Sequence, residues 1–123
     1  MSVPQIILPW PPAAMSPNAS GQGKWRTKNN AAATYKRTCW AICLERKVRK
    51  IEAATVEATI IFCPPSARRY DLDNALASIK QGLDAIAEAI GVDDSQWRSI
   101  TLERGERCKN GGVIVHIHEV VNG

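Results

Sequence analysis

The sequence feature that most constrains the fold is an apolar stripe within residues 73–90, which lies between two strand-like segments. At about 100° per residue, the stripe covers roughly 80° of a helix surface. It is formed by Leu76, Ile79, Leu83, Ile86 and Ile90. Gly91 follows, and glycine is typical just after the end of a helix. We therefore predict a helix over residues 73–90 whose apolar side packs against a sheet.

The rest of the chain contains short strand-like segments and a second helical segment. Predicted strands are residues 5–8, 54–62, about 98–105 and 113–120, and a helix is predicted over about 30–50. Residues 13–30 are small and polar and contain glycine, which predicts a long, mobile loop. The order β-α-β-α-β-β predicts an α/β chain of the α+β type, with a mixed sheet of about four strands and two main helices on one face.

Basic and acidic residues are unevenly distributed. The chain has 16 Lys and Arg against 12 Asp and Glu. Before residue 51 the one acidic residue is Glu45, and the basic ones are Lys24, Arg26, Lys28, Lys36, Arg37, Arg46, Lys47, Arg49 and Lys50. Most carboxylates follow from Asp71 onward. A basic surface beside clustered carboxylates suits a metal-dependent enzyme that acts on phosphates.

The cysteines and the N-terminus bear on the compartment. Four cysteines show no C-x-x-C spacing, so we expect reduced structural thiols. The segment MSVPQIILPWPP lacks a cationic leader, and no segment approaches the ~20 apolar residues of a membrane span. We expect a cytoplasmic protein of a bacterium, or a phage protein acting in the host cytoplasm, with no membrane partner.

The segment ARRYDLDN, residues 67–74, places Asp71 and Asp73 at the start of the predicted helix. Aspartate commonly caps helices, but its oxygens also bind Mg²⁺ together with water and substrate phosphates. One line along the helix, about 100° from the apolar stripe, carries Asp73, Ala77, Lys80 and Asp84. Lys80 and Asp84 also have the spacing of an ordinary i,i+4 ion pair. Spacing alone leaves capping and metal binding open.

A second acidic pair, Asp93 and Asp94, follows the helix in VDDSQ. A helix over residues 73–90 is about 27 Å long. These carboxylates therefore meet Asp71 only if the chain folds back after the helix, or if a second subunit supplies them. An EF-hand is excluded, because its sixth and twelfth positions would be Leu76 and Gly82 instead of Gly and Glu.

Four segments in order, LPWPP, ARRYDLDN, VDDSQ and the C-terminal GGVIVHI, resemble the RusA family of Holliday-junction resolvases, crossover junction endodeoxyribonucleases common in phages and prophages. The resemblance spans nearly the whole chain. It implies one RusA-like endonuclease domain over residues 1–123, with Mg²⁺ or Mn²⁺ as cofactor. It also implies a homodimer that nicks opposing strands of four-way junction DNA during recombination and repair.

By position, the resemblance implies catalytic and metal-binding roles for Asp71, Asp73 and Asp94, with Asp93 as a further metal ligand. The family's catalytic lysine, six residues after its first aspartate, falls on Ala77, and Lys80 one turn later is the expected substitute. The residues expected to bind DNA are basic. They are Arg68, Arg69, Lys24, Arg26, Lys28, Lys36 and Arg37.

Two other functions fit the same features: a non-catalytic junction- or duplex-DNA-binding module whose aspartates cap a helix, and a general metal-dependent phage nuclease. His116 and His118 alternate on a strand. Without a third ligand nearby, they predict a partly exposed strand face rather than a metal site. Three tryptophans are expected in the core or at an interface, namely Trp10, Trp40 and Trp97.

Overall fold

Alternating and helical apolar patterns produce one mixed sheet and three helices in the computed structural model, which describes residues 3–13 and 24–120. The elements in chain order are β1 (Ile6–Leu8), α1 (Lys24–Glu45), β2 (Val56–Cys63), α2 (Leu72–Ser78), α3 (Lys80–Ile90), β3 (Ser99–Arg104) and β4 (Gly112–Glu119). The α+β class and the predicted order are confirmed, except that the second predicted helix is divided into α2 and α3.

The sheet has the strand order β1-β4-β2-β3. β4 is antiparallel to both of its neighbours, whereas β2 and β3 are parallel. A parallel pair needs a long crossover, and α2 and α3 provide it. Asn110 and Gly111, with φ of 66° and 70°, turn the chain before β4. Although β3 and β4 are consecutive, β4 enters between β1 and β2 instead of pairing with β3.

One face of the sheet forms the core with the helices. Along β2, Val56, Ala58, Ile60 and Phe62 are buried and the alternate residues are half-exposed. The period of two confirms a sheet that is covered on one side. No helix within the described residues is long and apolar enough to cross a membrane.

The boundaries of α1 differ from the prediction at its start. The mobile loop predicted over residues 13–30 is wrong for 24–30, because α1 begins at Lys24. Residues 24–30 contain neither glycine nor proline, so their polar composition did not prevent a helix. Residues 14–23 of the predicted loop lie outside the described residues.

The predicted end of this helix at about residue 50 is also wrong, because α1 ends at Glu45. Lys47 has a positive φ of 59°, and the Val48 N–H donates to the Cys43 carbonyl at 2.9 Å. The left-handed conformation of Lys47 and the hydrogen bond from Val48 to Cys43 together end the helix. The basic residues Arg46, Lys47, Arg49 and Lys50 therefore lie beyond the helix.

The continuous helix predicted over residues 73–90 is interrupted at Ile79, which has φ −103° and ψ 12°. The Ser78 hydroxyl donates to the Asn74 carbonyl at 2.8 Å, a bond of the kind that bends helices. The apolar stripe nevertheless faces the core. Ile79, Leu83, Ile86 and Ile90 are buried, and Leu76 is half-buried.

α3 packs closely on α1 and β1 at Gly82. A Cβ atom there would lie 2.9 Å from Leu8 Cδ1 and 3.1 Å from Cys39 Sγ. Cys39 is a free, buried thiol, as predicted, and burial raises its pKa to about 12. The Tyr35 hydroxyl donates to the Pro9 carbonyl at 2.7 Å. This contact fixes the chain that leaves β1 against α1.

Candidate functional site

Asp71 and Asp73 lie at the start of α2, where the sequence left capping and metal binding open. Asp71 occupies the N-cap position with φ −96° and ψ 140°, but its side chain makes no capping hydrogen bond. It accepts a hydrogen bond from Asn74 Nδ2 at 3.3 Å instead. Within residues 3–13 and 24–120, neither aspartate forms a salt bridge. Side-chain capping is therefore not the role of Asp71.

Asp71 lines a cavity of about 350 Å³, referred to below as the Trp10 pocket. One part of its lining is apolar and aromatic: Trp10, Pro11, Pro12, Ala13, Tyr70 and Ala75. The other part is polar or charged: Arg69, Asp71, Asn74 and Ser78. The pocket thus joins a predicted metal ligand and a predicted DNA-binding arginine to an apolar and aromatic wall.

The aromatic wall is held by contacts from β2, from β3 and from the loop before α2. The Trp10 ring lies edge-on to Phe62 at 6.3 Å and to Tyr70 at 5.7 Å. The Arg104 guanidinium lies 4.7 Å from the Tyr70 ring centroid, and its Nη1 donates to the Tyr70 carbonyl at 3.0 Å. Arg104 therefore fixes the residue directly before Asp71.

Sequence reasoning did not select Arg104, although a signal was present. Arg104 is two residues after the half-buried Leu102 on β3, so both side chains lie on the helix-covered face. A charged residue on that face indicates a polar contact beside the core, although Arg104 itself is exposed. Its partners, the ring and carbonyl of Tyr70, come from a loop that spacing alone does not place.

Lys80 forms a second charged group with Asp84 and Asp94, referred to below as the Lys80 cluster. Lys80 Nζ lies 2.9 Å from Asp84 Oδ1 and 2.6 Å from Asp94 Oδ2. The first distance confirms the predicted i,i+4 pair. The second shows that the chain does fold back after α3, through a 3-10 turn at Asp94–Gln96. The downstream acidic pair therefore reaches the predicted lysine.

The Lys80 cluster shifts the pKa values of its members in opposite directions. Hydrogen bonds to Asp94 and then Asp84 raise the pKa of Lys80 above 10.5. The hydrogen bond from Lys80 lowers the pKa of Asp94 below 3.8. Asp93 accepts a hydrogen bond from Ser95 Oγ at 2.9 Å. Lys80 is thus a fixed cation at neutral pH.

The four aspartates expected to bind a metal are not one group within a single chain. Among residues 3–13 and 24–120, no set of three or more His, Cys, Asp or Glu side chains is placed to hold a metal ion. Asp71 and Asp73 have no cationic partner in this part of the chain, whereas Asp94 is paired with Lys80. A Mg²⁺ ion that keeps water and phosphate ligands needs only one or two carboxylates. Asp71 and Asp73 supply that smaller number of carboxylates, and of the two Asp71 lines the Trp10 pocket.

The predicted DNA-binding residues have different surroundings. Arg69 lines the Trp10 pocket, and Arg68 is exposed. Lys36 Nζ is paired with Glu88 at 2.8 Å, and Arg37 Nη2 donates to Thr34 Oγ1 at 3.3 Å. The other three, Lys24, Arg26 and Lys28, begin α1, and their side chains lie outside the described part.

The two histidines and Trp97 behave as the sequence predicts. The rings of His116 and His118 stack with centroids 6.4 Å apart on the uncovered face of β4. His116 is half-buried and His118 is exposed, which confirms a partly exposed strand face. Trp97 is buried in the core, and its Nε1 donates to the Val92 carbonyl at 2.9 Å.

Sequence comparison places the chain in a family without assigning an activity. No protein-family model matches it. It is 32% identical over 119 residues to an uncharacterized protein of Xylella fastidiosa (strain Temecula1 / ATCC 700964), an alignment that covers 91% of this chain and 74% of the relative. With this identity and coverage, the chain belongs to the same protein family as the Xylella protein.

Proposed function

We propose that the protein is a Mg²⁺- or Mn²⁺-dependent endodeoxyribonuclease of the RusA type that resolves four-way DNA junctions. The observation that carries the proposal is the state of Asp71 and Asp73. These carboxylates have no salt-bridge partner in the described chain, and Asp71 lines a cavity together with Arg69. They occupy the positions where the resemblance implies catalytic aspartates.

Asp71 and Asp73 would hold the divalent ion, with Asp94 as the predicted third ligand. Such an ion supplies positive charge beside the scissile phosphate and lowers the pKa of water. Arg69 presents a planar guanidinium that suits a neighbouring phosphate. The side chains around the pocket therefore combine the anionic and cationic groups that phosphodiester hydrolysis needs.

Lys80 acts as a fixed positive charge in this proposal. Its raised pKa keeps it protonated at neutral pH, so it does not serve as a general base. Its ammonium group is a point charge suited to a developing negative charge on the leaving oxygen. Asp84 and Asp94 hold that ammonium in place until DNA binds.

The proposal includes a homodimer. Resolution of a junction requires two nicks in opposing strands, and one chain supplies one Asp71–Asp73 pair. A two-fold assembly supplies two such sites in the symmetric arrangement that the substrate requires.

The test is a comparison of wild type with the double variant Asp71→Asn, Asp73→Asn on four-way junction DNA in Mg²⁺. We expect junction binding to be kept and cutting to fall at least about a hundredfold, the scale of lost charge stabilisation in a transition state. Glu103→Gln, which neutralises an exposed carboxylate of β3, is the matched control and should cut normally.

The rival functions give different results in the same assay. A wild-type protein that binds junctions but never cuts them in Mg²⁺ or Mn²⁺ would be the non-catalytic binding module. A protein that cuts linear duplex as readily as junctions would be the general nuclease.

A further inference from the structure

The Trp10 pocket suggests how the substrate is held. Resting on the proposed function, we propose that this pocket binds the nucleobase adjoining the scissile phosphate, after that base has left the DNA stack. The base would lie against Trp10, and its phosphate would lie towards Arg69 and Asp71. The proposal adds substrate binding to the expected core role of Trp10, which is half-buried and packs against the core.

The chemistry of the lining matches a nucleotide. A nucleobase has flat apolar faces and a polar edge, and pockets for extruded bases combine aromatic or apolar walls with hydrogen-bonding groups. Here Trp10, Pro11 and Pro12 supply the apolar wall. Asn74 supplies an amide that uses one N–H on Asp71 and keeps a carbonyl acceptor. The volume of about 350 Å³ is in the range of small-molecule sites.

The wall is built before any ligand arrives. Trp10 is held by Phe62 and Tyr70, and the preceding residue, Pro9, accepts a hydrogen bond from Tyr35. Gly111 lies directly against Trp10, because a Cβ atom on Gly111 would be 2.8 Å from Trp10 Cβ. A fixed ring loses little conformational entropy when a base stacks on it.

The position of the pocket specifies which base would enter. Asp71 is both a lining residue and a predicted metal ligand, so the phosphate nearest the pocket is the one to be cut. Extruding a base costs least where stacking and pairing are already broken, and the crossover of a four-way junction is such a place. Selection of junctions over duplex would then come partly from this pocket.

The experiment is an abasic scan of the junction without a divalent ion, so that binding is measured without cutting. Single nucleotides around the crossover are replaced one at a time by a tetrahydrofuran residue. We expect wild type to lose roughly tenfold in affinity at one symmetric position, because stacking on an aromatic side chain contributes about that much per base.

Trp10→Ala should bind the intact junction roughly tenfold more weakly and show no further loss with the abasic junction. Trp10→Phe keeps a flat ring and should restore much of the sensitivity. Trp40→Ala removes the partly exposed tryptophan of α1 and should retain the full abasic effect. Thermal unfolding of each variant verifies that it is folded.

The outcomes separate this inference from the proposed function. If wild type binds and cuts junctions but no abasic position depends on Trp10, the pocket does not hold a base and the nuclease proposal stands. If wild type does not bind junctions in preference to duplex, both proposals are wrong. An abasic effect that persists in a folded Trp10→Ala protein also overturns the inference.

Discussion

The Lys80 cluster and the Asp71–Asp73 pair both contain aspartates, but their charges are balanced differently. In the Lys80 cluster, one ammonium group lies within 2.9 Å of one carboxylate and 2.6 Å of another. At the start of α2, within the described chain, two carboxylates carry like charges and have no salt-bridge partner. The first group is partly compensated by its lysine, whereas the second has no such cation in the described chain and is the proposed site for an external one.

Under the proposed function, this difference gives the two groups different roles. In the Lys80 cluster, the two carboxylates fix the position of the lysine and keep it protonated. An uncompensated pair keeps its oxygen atoms available to a metal ion. Position on the helix does not decide whether an aspartate pairs with Lys80 or stays without a salt bridge. Asp73 and Asp84 lie on the same predicted line of the helix but belong to different groups.

The largest expected effect comes from removing the cation of the Lys80 cluster. Lys80→Met should lower the rate of junction cutting by about 100- to 1,000-fold, the usual cost of losing one transition-state charge contact. Junction affinity should change much less. Single-turnover cleavage, with binding measured separately in the absence of metal, tests the prediction.

Lys109→Met is the matched control, because Lys109 is also an exposed lysine and is not among the residues expected to bind DNA. It should cut at a rate within a few-fold of wild type. Equal losses for both variants would mean that Lys80 contributes only to general DNA attraction.

A smaller effect concerns stability and pH. The pKa of Asp94 is lowered below 3.8 by Lys80, so the ion pair stabilises the fold above that pH, and the contribution is lost as pH falls through the lowered value. The raised pKa of Lys80 keeps the contribution in place up to about pH 10.5. Since the Lys80 side chain is 56% exposed, solvent screening limits the contribution to below about 1 kcal/mol.

Urea unfolding of wild type and Asp94→Asn at pH 7 and pH 2.5 measures this contribution. The variant should be less stable at pH 7 by up to about 1 kcal/mol, and the difference should be smaller at pH 2.5, because protonation of Asp94 weakens the ion pair as pH falls through its lowered pKa. Asp71→Asn removes a carboxylate that has no salt-bridge partner among residues 3–13 and 24–120, and it should not lower stability at either pH. A larger loss of unfolding free energy in Asp71→Asn than in Asp94→Asn at pH 7 would contradict the stabilising role assigned to the Lys80–Asp94 pair.

The fold was largely predictable because its signals are local. Alternation marks β2 and β4, and Gly91 ends α3 in a left-handed conformation with φ 77°. The interruption at Ile79 has no glycine or proline to mark it. It depends on the Ser78 hydroxyl and on burial against the rest of the core, which are tertiary effects.

The site was predictable only where neighbours in sequence are neighbours in space. The Lys80–Asp84 pair follows from helical spacing. The contact between Lys80 and Asp94 depends on how the chain returns after Gly91. The Trp10 pocket joins the chain after β1 to the start of α2, about 60 residues apart, and no periodicity relates those segments. The pocket therefore could not be predicted from the sequence.

The most direct test of the central claim is a Mn²⁺ titration followed by electron paramagnetic resonance, with no DNA present. Wild type should bind Mn²⁺, and the Asp71→Asn, Asp73→Asn double variant should not. Asp84→Asn, which removes a carboxylate from the Lys80 cluster, should bind Mn²⁺ as wild type does. Unchanged Mn²⁺ binding by the double variant, or loss of binding in Asp84→Asn, would contradict the assignment of the uncompensated pair as the metal ligands.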